Sequence, residues 1–258
     1  MGQSPKILLV VIRYASLWFV LMSILMALSA CERDTVNSTV NAAEYDSFWL
    51  WAGVKPQPVL EQAKTVYILE GEVRASDAST LVSLRPGTPD IDHADIWMVV
   101  RVENLDLSPE IYSQIFAKLA QWSAQGNKVV GLQIDFDANT RSLDQYAIFL
   151  RALRQQLPRQ YALGITGLLD WSANGDPSAL ASLAGVVDEA VFQVYQGRKT
   201  IPGYEKWLNN IDDLPMPFRI GLVQGGEWKP PASLARNPNF RGYVIFLVND
   251  AAYEIHAD

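Results

Sequence analysis

The stretch Val130-Gly131-Leu132-Gln133-Ile134-Asp135-Phe136-Asp137 places two carboxylates and an amide at regular spacing. Side chains alternate across a strand. Val130, Leu132, Ile134 and Phe136 then form one wholly apolar face, and Gly131, Gln133, Asp135 and Asp137 form the other. A strand buried on both faces should be apolar throughout, whereas this one turns polar on one face towards its C-terminal end. The same alternation groups Gln193 with Tyr195, opposite Phe192 and Val194. It also groups Trp97, Val99, Arg101 and Glu103 on one strand, and Ile68, Glu70 and Glu72 on another. Gln224, Glu227 and Trp228 follow a seventh apolar run, and Asn249 and Asp250 follow an eighth. Trp49, Trp51 and Trp171 add aromatic surface. Carboxylates, amides and indoles gathered at one mouth suit a sugar, whose ring faces stack on tryptophan while its hydroxyls bond to acids and amides.

These residues need elements that bring them together. Short runs rich in β-branched and aromatic residues recur along the chain, separated by helical patterns or turn clusters. They predict strands at Phe48–Gly53, Val66–Val73, Ile96–Val102, Val129–Asp135, Ala162–Thr166, Ala190–Tyr195, Phe218–Val223 and Tyr243–Val248. Helices are expected at Pro109–Gln125, Leu143–Gln156 and Ser178–Leu183, with shorter ones at Val59–Lys64 and Gly203–Asn210. Ser108-Pro109-Glu110 is a good helix start and Gly126 a good stop. Alternating strands and helices argue a parallel sheet with helices outside, and eight strands argue closure into a single (β/α)8 TIM-type barrel with some irregular connections. In that fold the site lies at the C-terminal ends of the strands, where Gln133, Asp135 and Asp137 climb the inner wall. The weak connections are Ser76–Ala94 and Gly225–Arg241, which hold little helix. An open doubly wound sheet is the alternative. Trp51-Ala52-Gly53-Val54-Lys55-Pro56 lacks the glycine pattern that such a sheet uses for a nucleotide.

The order of motifs resembles the family 18 glycoside hydrolases, the chitinase-like barrels, whose fourth strand ends in Asp-Gly-x-Asp-x-Asp-x-Glu. Laid on Gly131, this chain keeps Gly131 and Asp135, has Asp137 at the general-acid glutamate, and has Val130 and Gln133 in place of aspartates. The family's sixth strand ends in Met-x-Tyr-Asp; here Gln193-Val194-Tyr195-Gln196 keeps the tyrosine. Phe246 stands near the family's eighth-strand tryptophan. The resemblance implies a protonated Asp137 that gives its proton to the glycosidic oxygen, with a substrate acetamido group as nucleophile. Asp135, about 6.6 Å away along the strand, would tune that acid by like-charge coupling, and Tyr195 would hold the acetamido group or the developing charge. Aspartate is one methylene shorter than glutamate, and proton transfer needs a donor within about 3 Å. A closer resemblance, covering nearly the whole mature chain, is to the bacterial family named domain of unknown function 3142. It rests on Trp49-Leu50-Trp51, Gln133-Ile134-Asp135-Phe136-Asp137, Thr166 and Gln193-Val194-Tyr195. That family implies a fold and no activity.

Other assignments stay open on the residues alone. A plain two-carboxylate hydrolase could use Glu70, Glu103 or Glu227 as its second group. Asp135 and Asp137 could form an inner-wall network with Arg101, and Arg101 with Glu103 an ion pair. Trp97 is expected in the core, while Trp49, Trp51, Trp171 and Trp228 divide between cleft and packing. Two histidines, His93 and His256, lie far apart in sequence and away from the expected mouth. They offer no basis for a Ser-His-Asp or Cys-His nucleophile or for a histidine-bound metal. The sequence calls for no cofactor and no metal.

The N-terminus points to export. Lys6 and Arg13 are the only charges before Glu32, and Tyr14 to Ala30 is apolar or small throughout. That run is short for a membrane span, which needs about 20 residues, and suits a signal peptide. An uncleaved anchor is the alternative. Leu28-Ser29-Ala30-Cys31 resembles the lipobox of bacterial lipoproteins, which implies cleavage before Cys31 and lipid on its sulfur and amino group. Two acyl chains hold a protein firmly on a bilayer. Glu32, where aspartate is the inner-membrane retention signal of such lipoproteins, favours the outer membrane. Cys31 is the single cysteine, so no internal disulfide forms. The expected organisation is a signal at 1–30, a lipidated cysteine and tether at 31–44, and a barrel at 45–258. The net charge of −7 becomes −9 when the signal takes Lys6 and Arg13 with it. So acidic a domain is a poor partner for nucleic acid. The expected partners are a polysaccharide or oligosaccharide and, through Cys31, the membrane.

Overall fold

A computed structural model describes residues 38–137, 142–208, 211 and 214–249. Eight strands form the barrel: β1 (Ser47–Leu50), β2 (Thr65–Arg74), β3 (Asp95–Val102), β4 (Lys128–Asp135), β5 (Ala162–Leu168), β6 (Glu189–Gln193), β7 (Phe218–Val223) and β8 (Phe240–Phe246). Each pairs in parallel with the next, and β8 pairs with β1 through Ile245–Phe48 and Phe246–Trp49. The sheet therefore closes, and the expected (β/α)8 barrel stands; the open sheet does not.

Helices cover part of the outside. α1 (Pro109–Ala124) turns Ile111, Ile115, Leu119 and Trp122 inward. α2 (Leu143–Gln156) turns in Tyr146, Ala147, Leu150 and Leu153. In both, apolar residues recur at three- and four-residue steps, which is one helical stripe. Short helices follow: α3 (Trp171–Asn174), α4 (Pro177–Ala181) and α5 (Tyr204–Leu208). Ser108 stands at the N-cap of α1 without a side-chain capping bond, so Pro109 and the first-turn Glu110 start that helix. Gly126 has φ of 97°, the left-handed stop after α1. The expected helix at Val59–Lys64 is a 3-10 turn, Pro58–Gln62.

Two connections depart from the helical pattern. After β2 the chain returns as an antiparallel strand, Asp77–Ser83, paired with β2. A Cβ on Gly71 would lie 2.4 Å from the carbonyl oxygen of Val82, so glycine permits this close return. After β6 a small hairpin pairs Tyr195–Gln196 with Lys199–Thr200.

Alternation divides the apolar residues into two cores. Phe48, Ile68, Met98, Ile134, Ile165, Phe192, Ile220 and Ile245 face the covering elements. Trp49, Tyr67, Leu69, Trp97, Val99, Val191, Tyr195, Val223 and Val244 fill the barrel. Indoles occupy the interior because the facing strands carry glycine. A Cβ on Gly131 or Gly164 would lie 2.5 or 2.9 Å from the Trp97 ring, and one on Gly221 would lie 2.5 Å from Trp49.

The barrel domain starts before residue 45. Ser38–Thr39 pairs with Glu227–Trp228, Val40 is buried, and Val40 exchanges backbone hydrogen bonds with Gly225 and Gly226. The expected tether therefore gives up residues 38–44, because Val40 and Ala42 find apolar cover. Cys31, the signal, Asp250 and His256 lie outside the described residues. Among the described residues no helix is long and apolar enough to cross a membrane.

Candidate functional site

β4 behaves as its alternation requires, with one exception at its start. The pairing of β3 with β4 slips between Ile96 and Trp97, skipping Val130. Val130 consequently packs on the inner cluster instead of the outer face. Beyond the slip, Trp97, Val99 and Arg101 lie beside Gly131, Gln133 and Asp135. Gln133 is fully buried and accepts a hydrogen bond of 2.8 Å from the indole Nε1 of Trp49 across the barrel.

Asp135 sits above Gln133 and is nearly buried. The hydroxyl of Thr166 on β5 donates to its Oδ1 at 2.8 Å. Burial pushes the Asp135 carboxyl up to about 6 from its ordinary 3.8. The Thr166 hydrogen bond and the charge of Arg101 pull against that rise, and the charge of Asp137 adds to it. The phenol of Tyr195 is held well above its ordinary value, by burial first and by the charge of Asp135 second. Asp137 is 71% exposed and stands 3.7 Å from the guanidinium of Arg101, itself 42% exposed.

A cavity of about 500 Å³ opens at this end of the barrel. Asp137, Gln193 and Tyr195 line it with Leu168, Leu169, Asp170, Gln196, Gly197, Ile201 and Trp207. The ends of β5 and β6 form one wall, and the hairpin after β6 with α5 forms the other. Trp51 is half-buried nearby in the inner wall, its ring against Phe246, which also meets Tyr195. The mouth therefore gathers Asp137, Tyr195 and Gln193 as expected, with Asp135, Thr166, Gln133, Arg101, Trp49 and Trp51 in the inner wall behind them. Among the described residues no group of three or more His, Cys, Asp or Glu side chains could hold a metal ion.

Several expected site residues lie elsewhere. On β2, Tyr67 and Leu69 face in, so alternation turns Ile68 and Glu70 outward; the pairing with β3 then slips between Leu69 and Gly71 and brings Glu72 beside the inward Arg101. Glu70 accepts from Ser83 Oγ at 2.9 Å and pairs with Lys118 of α1 at 3.0 Å. Trp171 and Trp228 belong to the outer core; Trp228 stacks on Tyr204. Gln224 exchanges side-chain hydrogen bonds with Gln57 and accepts one from the Val248 backbone. Asn249 holds the first loop through Lys55 and Gly53. Glu103 accepts from the Ala75 backbone, and Glu227 lies in the short pairing with Thr39. His93 contacts the Leu60 carbonyl at 3.0 Å. Gln224, Asn249 and Glu103 follow the right strand ends but hold neighbouring loops, whereas Glu70, Trp171 and Trp228 face the outer layer.

Sequence reasoning missed Asp170 and Trp207. Asp170 ends the β5 connection, and its only signal was an acid following an apolar strand. Trp207 was hidden in an amphipathic helical pattern. It also missed a network at the opposite end of the barrel, where Tyr67 donates to Glu189 and Arg219 pairs with Glu189 at 2.6 Å. A second cavity of about 540 Å³, lined by Arg219, Arg241, Tyr45 and Asp46 among others, opens there. In β/α barrels that end carries stability and the C-terminal end carries the site.

The chain is similar to several solved structures. No curated protein matches the chain in sequence. The spore cortex-lytic enzyme SleL of Bacillus cereus is 16% identical with a TM-score of 0.46. The match covers 73% of this chain and 51% of SleL, so the chain spans about half of that enzyme's length. The chitinase domain of the spore coat protein CotE from Clostridium difficile is 13% identical over 74% of this chain and 68% of its own, with a TM-score of 0.46. The xylanase and α-amylase inhibitor protein XAIP-I, solved in complex with trehalose, is 11% identical over 78% of this chain and 92% of its own, with a TM-score of 0.50. At that identity the likeness to XAIP-I concerns the barrel fold alone. In sequence, residues 93–204, which carry every cavity-lining residue except Trp207, match the family described as domain of unknown function (DUF3142).

Proposed function

We propose that the barrel mouth binds an extracytoplasmic oligosaccharide or polysaccharide and cleaves it by carboxylate chemistry. The observation that carries this reading is the pair at the C-terminal end of β4: a buried carboxyl pushed up to about 6, Asp135, and, two residues on, a carboxyl that lines an open cavity, Asp137. Asp137 gives its proton to the glycosidic oxygen as that bond breaks, and a water then adds at the anomeric carbon and returns a proton to the Asp137 carboxylate. Asp135 lies behind it, keeps its own proton up to about pH 6 and acts on it by charge. Tyr195 and Gln193 offer a hydroxyl and an amide to the sugar, and Trp207 offers a ring face. A barrel of the same fold, XAIP-I, is known with trehalose bound, which supports a sugar as the ligand.

Export and anchoring complete the proposal. Lipid on Cys31 would hold the barrel on the envelope, on the periplasmic face and with the outer membrane favoured. Incorporation of labelled palmitate into the parent and not into Cys31→Ser tests this.

The test of cleavage is product release from bacterial polysaccharides and N-acetylated oligosaccharides, read by mass spectrometry. The parent should release fragments. Asp137→Asn should lower turnover at least a hundredfold, the scale of a lost general acid, while binding persists. One observation favours a second reading, a glycan-binding module without turnover: Asp137 faces Arg101 at 3.7 Å, as a hydrogen-bond acceptor for hydroxyls would. That reading predicts saturable binding with no fragments from either protein.

A further inference from the structure

We infer that Asp170 makes this cavity select a sugar with a free amino group, a cationic deacetylated amino-sugar residue, over its N-acetylated counterpart. The inference rests on reading the mouth as a sugar site and names the class of sugar. Asp137 and Asp170 are the two charged side chains that line the cavity, and both are acids. They are not equivalent. Asp137 has the Arg101 guanidinium 3.7 Å away, whereas none of the ion pairs among the described residues involves Asp170.

Asp170 is also placed at cost. It occupies the N-cap of α3 yet makes no capping hydrogen bond from its side chain. Its Oδ1 is buried without a hydrogen-bond partner. Burial raises its carboxyl above the ordinary value, and its own backbone N–H works against that rise. A part-buried carboxylate with one oxygen lacking a donor and no cation beside it costs free energy, which an opposite charge at its accessible side lowers. A sugar hydroxyl supplies a donor, whereas an ammonium supplies a donor and the opposite charge, and charge-assisted hydrogen bonds are about twice as strong. Trp207, on the facing wall, presents an indole to the same space, and a cation gains further over an indole face. An N-acetyl group at that position would bring an amide in place of the charge and leave Asp170 uncompensated.

The experiment is isothermal titration of the full chain, in mild detergent and at mildly acidic pH, with glucosamine oligomers and with N-acetylglucosamine oligomers of equal length. The parent should bind the glucosamine oligomer about tenfold tighter. Asp170→Asn should reduce that preference to within about twofold, chiefly by weakening binding of the glucosamine oligomer. The parent alone provides a second measurement. Raising the pH past the pKa of the sugar amine should abolish the preference, although it leaves Asp170 more fully ionised. Equal binding of both oligomers by the parent, preference for the N-acetylated one, or a preference that survives at high pH or in a folded Asp170→Asn would overturn the inference and leave the sugar site standing. Binding of neither oligomer would overturn the sugar site itself.

Discussion

At the scale of single residues, Asp135 is held from several sides. Its carboxyl is nearly buried, with Thr166 as its hydrogen-bond donor and Arg101 and Asp137 as the charges that act on it. In the folded protein it keeps its proton up to about pH 6; in the unfolded chain it releases it near 3.8. Between those values the folded state binds more protons, so stability falls as pH rises through the window and stays lower above it. Asn in its place can still accept from Thr166 and cannot ionise. Asp135→Asn should therefore match the parent near pH 4 and exceed it above pH 6. The expected gain is on the order of 2–3 kcal/mol, at about 1.4 kcal/mol for each tenfold change in proton affinity between the two states. Urea unfolding across that range measures it, and parallel pH curves for the two proteins would contradict it. A group that destabilises the fold at neutral pH is the kind of cost that functional sites carry.

At the scale of elements, β4 was legible and β2 was not, because alternation groups residues without saying which group faces in and because a slip changes the grouping. Period-two alternation assumes an unbroken ladder. β4 keeps its ladder from Gly131 to Asp135, so Gln133 and Asp135 face inward as the pattern predicts. On β2 the inward face is the one with Tyr67 and Leu69, so Ile68 and Glu70 alternate outward, Glu70 to Lys118, and the slip between Leu69 and Gly71 then separates Glu72 from them and sets it beside Arg101. A bulge leaves little mark on residue type, so no spacing argument finds it. Trp171, Trp228, Gln224 and Asn249 illustrate the same limit in loops, where direction is set by neighbours far away in sequence. The interior indoles make an element-level prediction. Gly164→Ala would place a Cβ 2.9 Å from the Trp97 ring, which should cost about 1–3 kcal/mol by overpacking. Trp97→Leu removes that ring, so the double variant should show less than the summed loss. Thermal unfolding of the four proteins decides it, and strict additivity would contradict the contact.

At the scale of the whole molecule, eight apolar runs with turn clusters between them made the closed barrel readable, since closure follows from strand number and parallel alternation. The inner wall of the mouth was readable for the same reason. The outer wall was not, because the hairpin after β6 and the short α5 carry no strand or helix period long enough to fix their place. The start of the domain was missed because a two-residue pairing, Ser38–Thr39 with Glu227–Trp228, is too short to leave a pattern. The resulting molecule has two ends of different character: a C-terminal mouth with Asp137, Asp170, Tyr195 and Trp207, and an N-terminal end with Arg219 and Arg241. The central claim is that sugar binds at the first. The direct measurement is calorimetric titration of one chitin-type oligosaccharide series into three proteins: the parent, Trp207→Ala and Arg241→Ala. A sugar site at the mouth predicts saturable binding by the parent, a loss of about 1–3 kcal/mol of affinity in Trp207→Ala, the scale of a stacked ring, and no change in Arg241→Ala. Binding that Trp207→Ala leaves intact and Arg241→Ala removes would place the site at the other end of the barrel and contradict it.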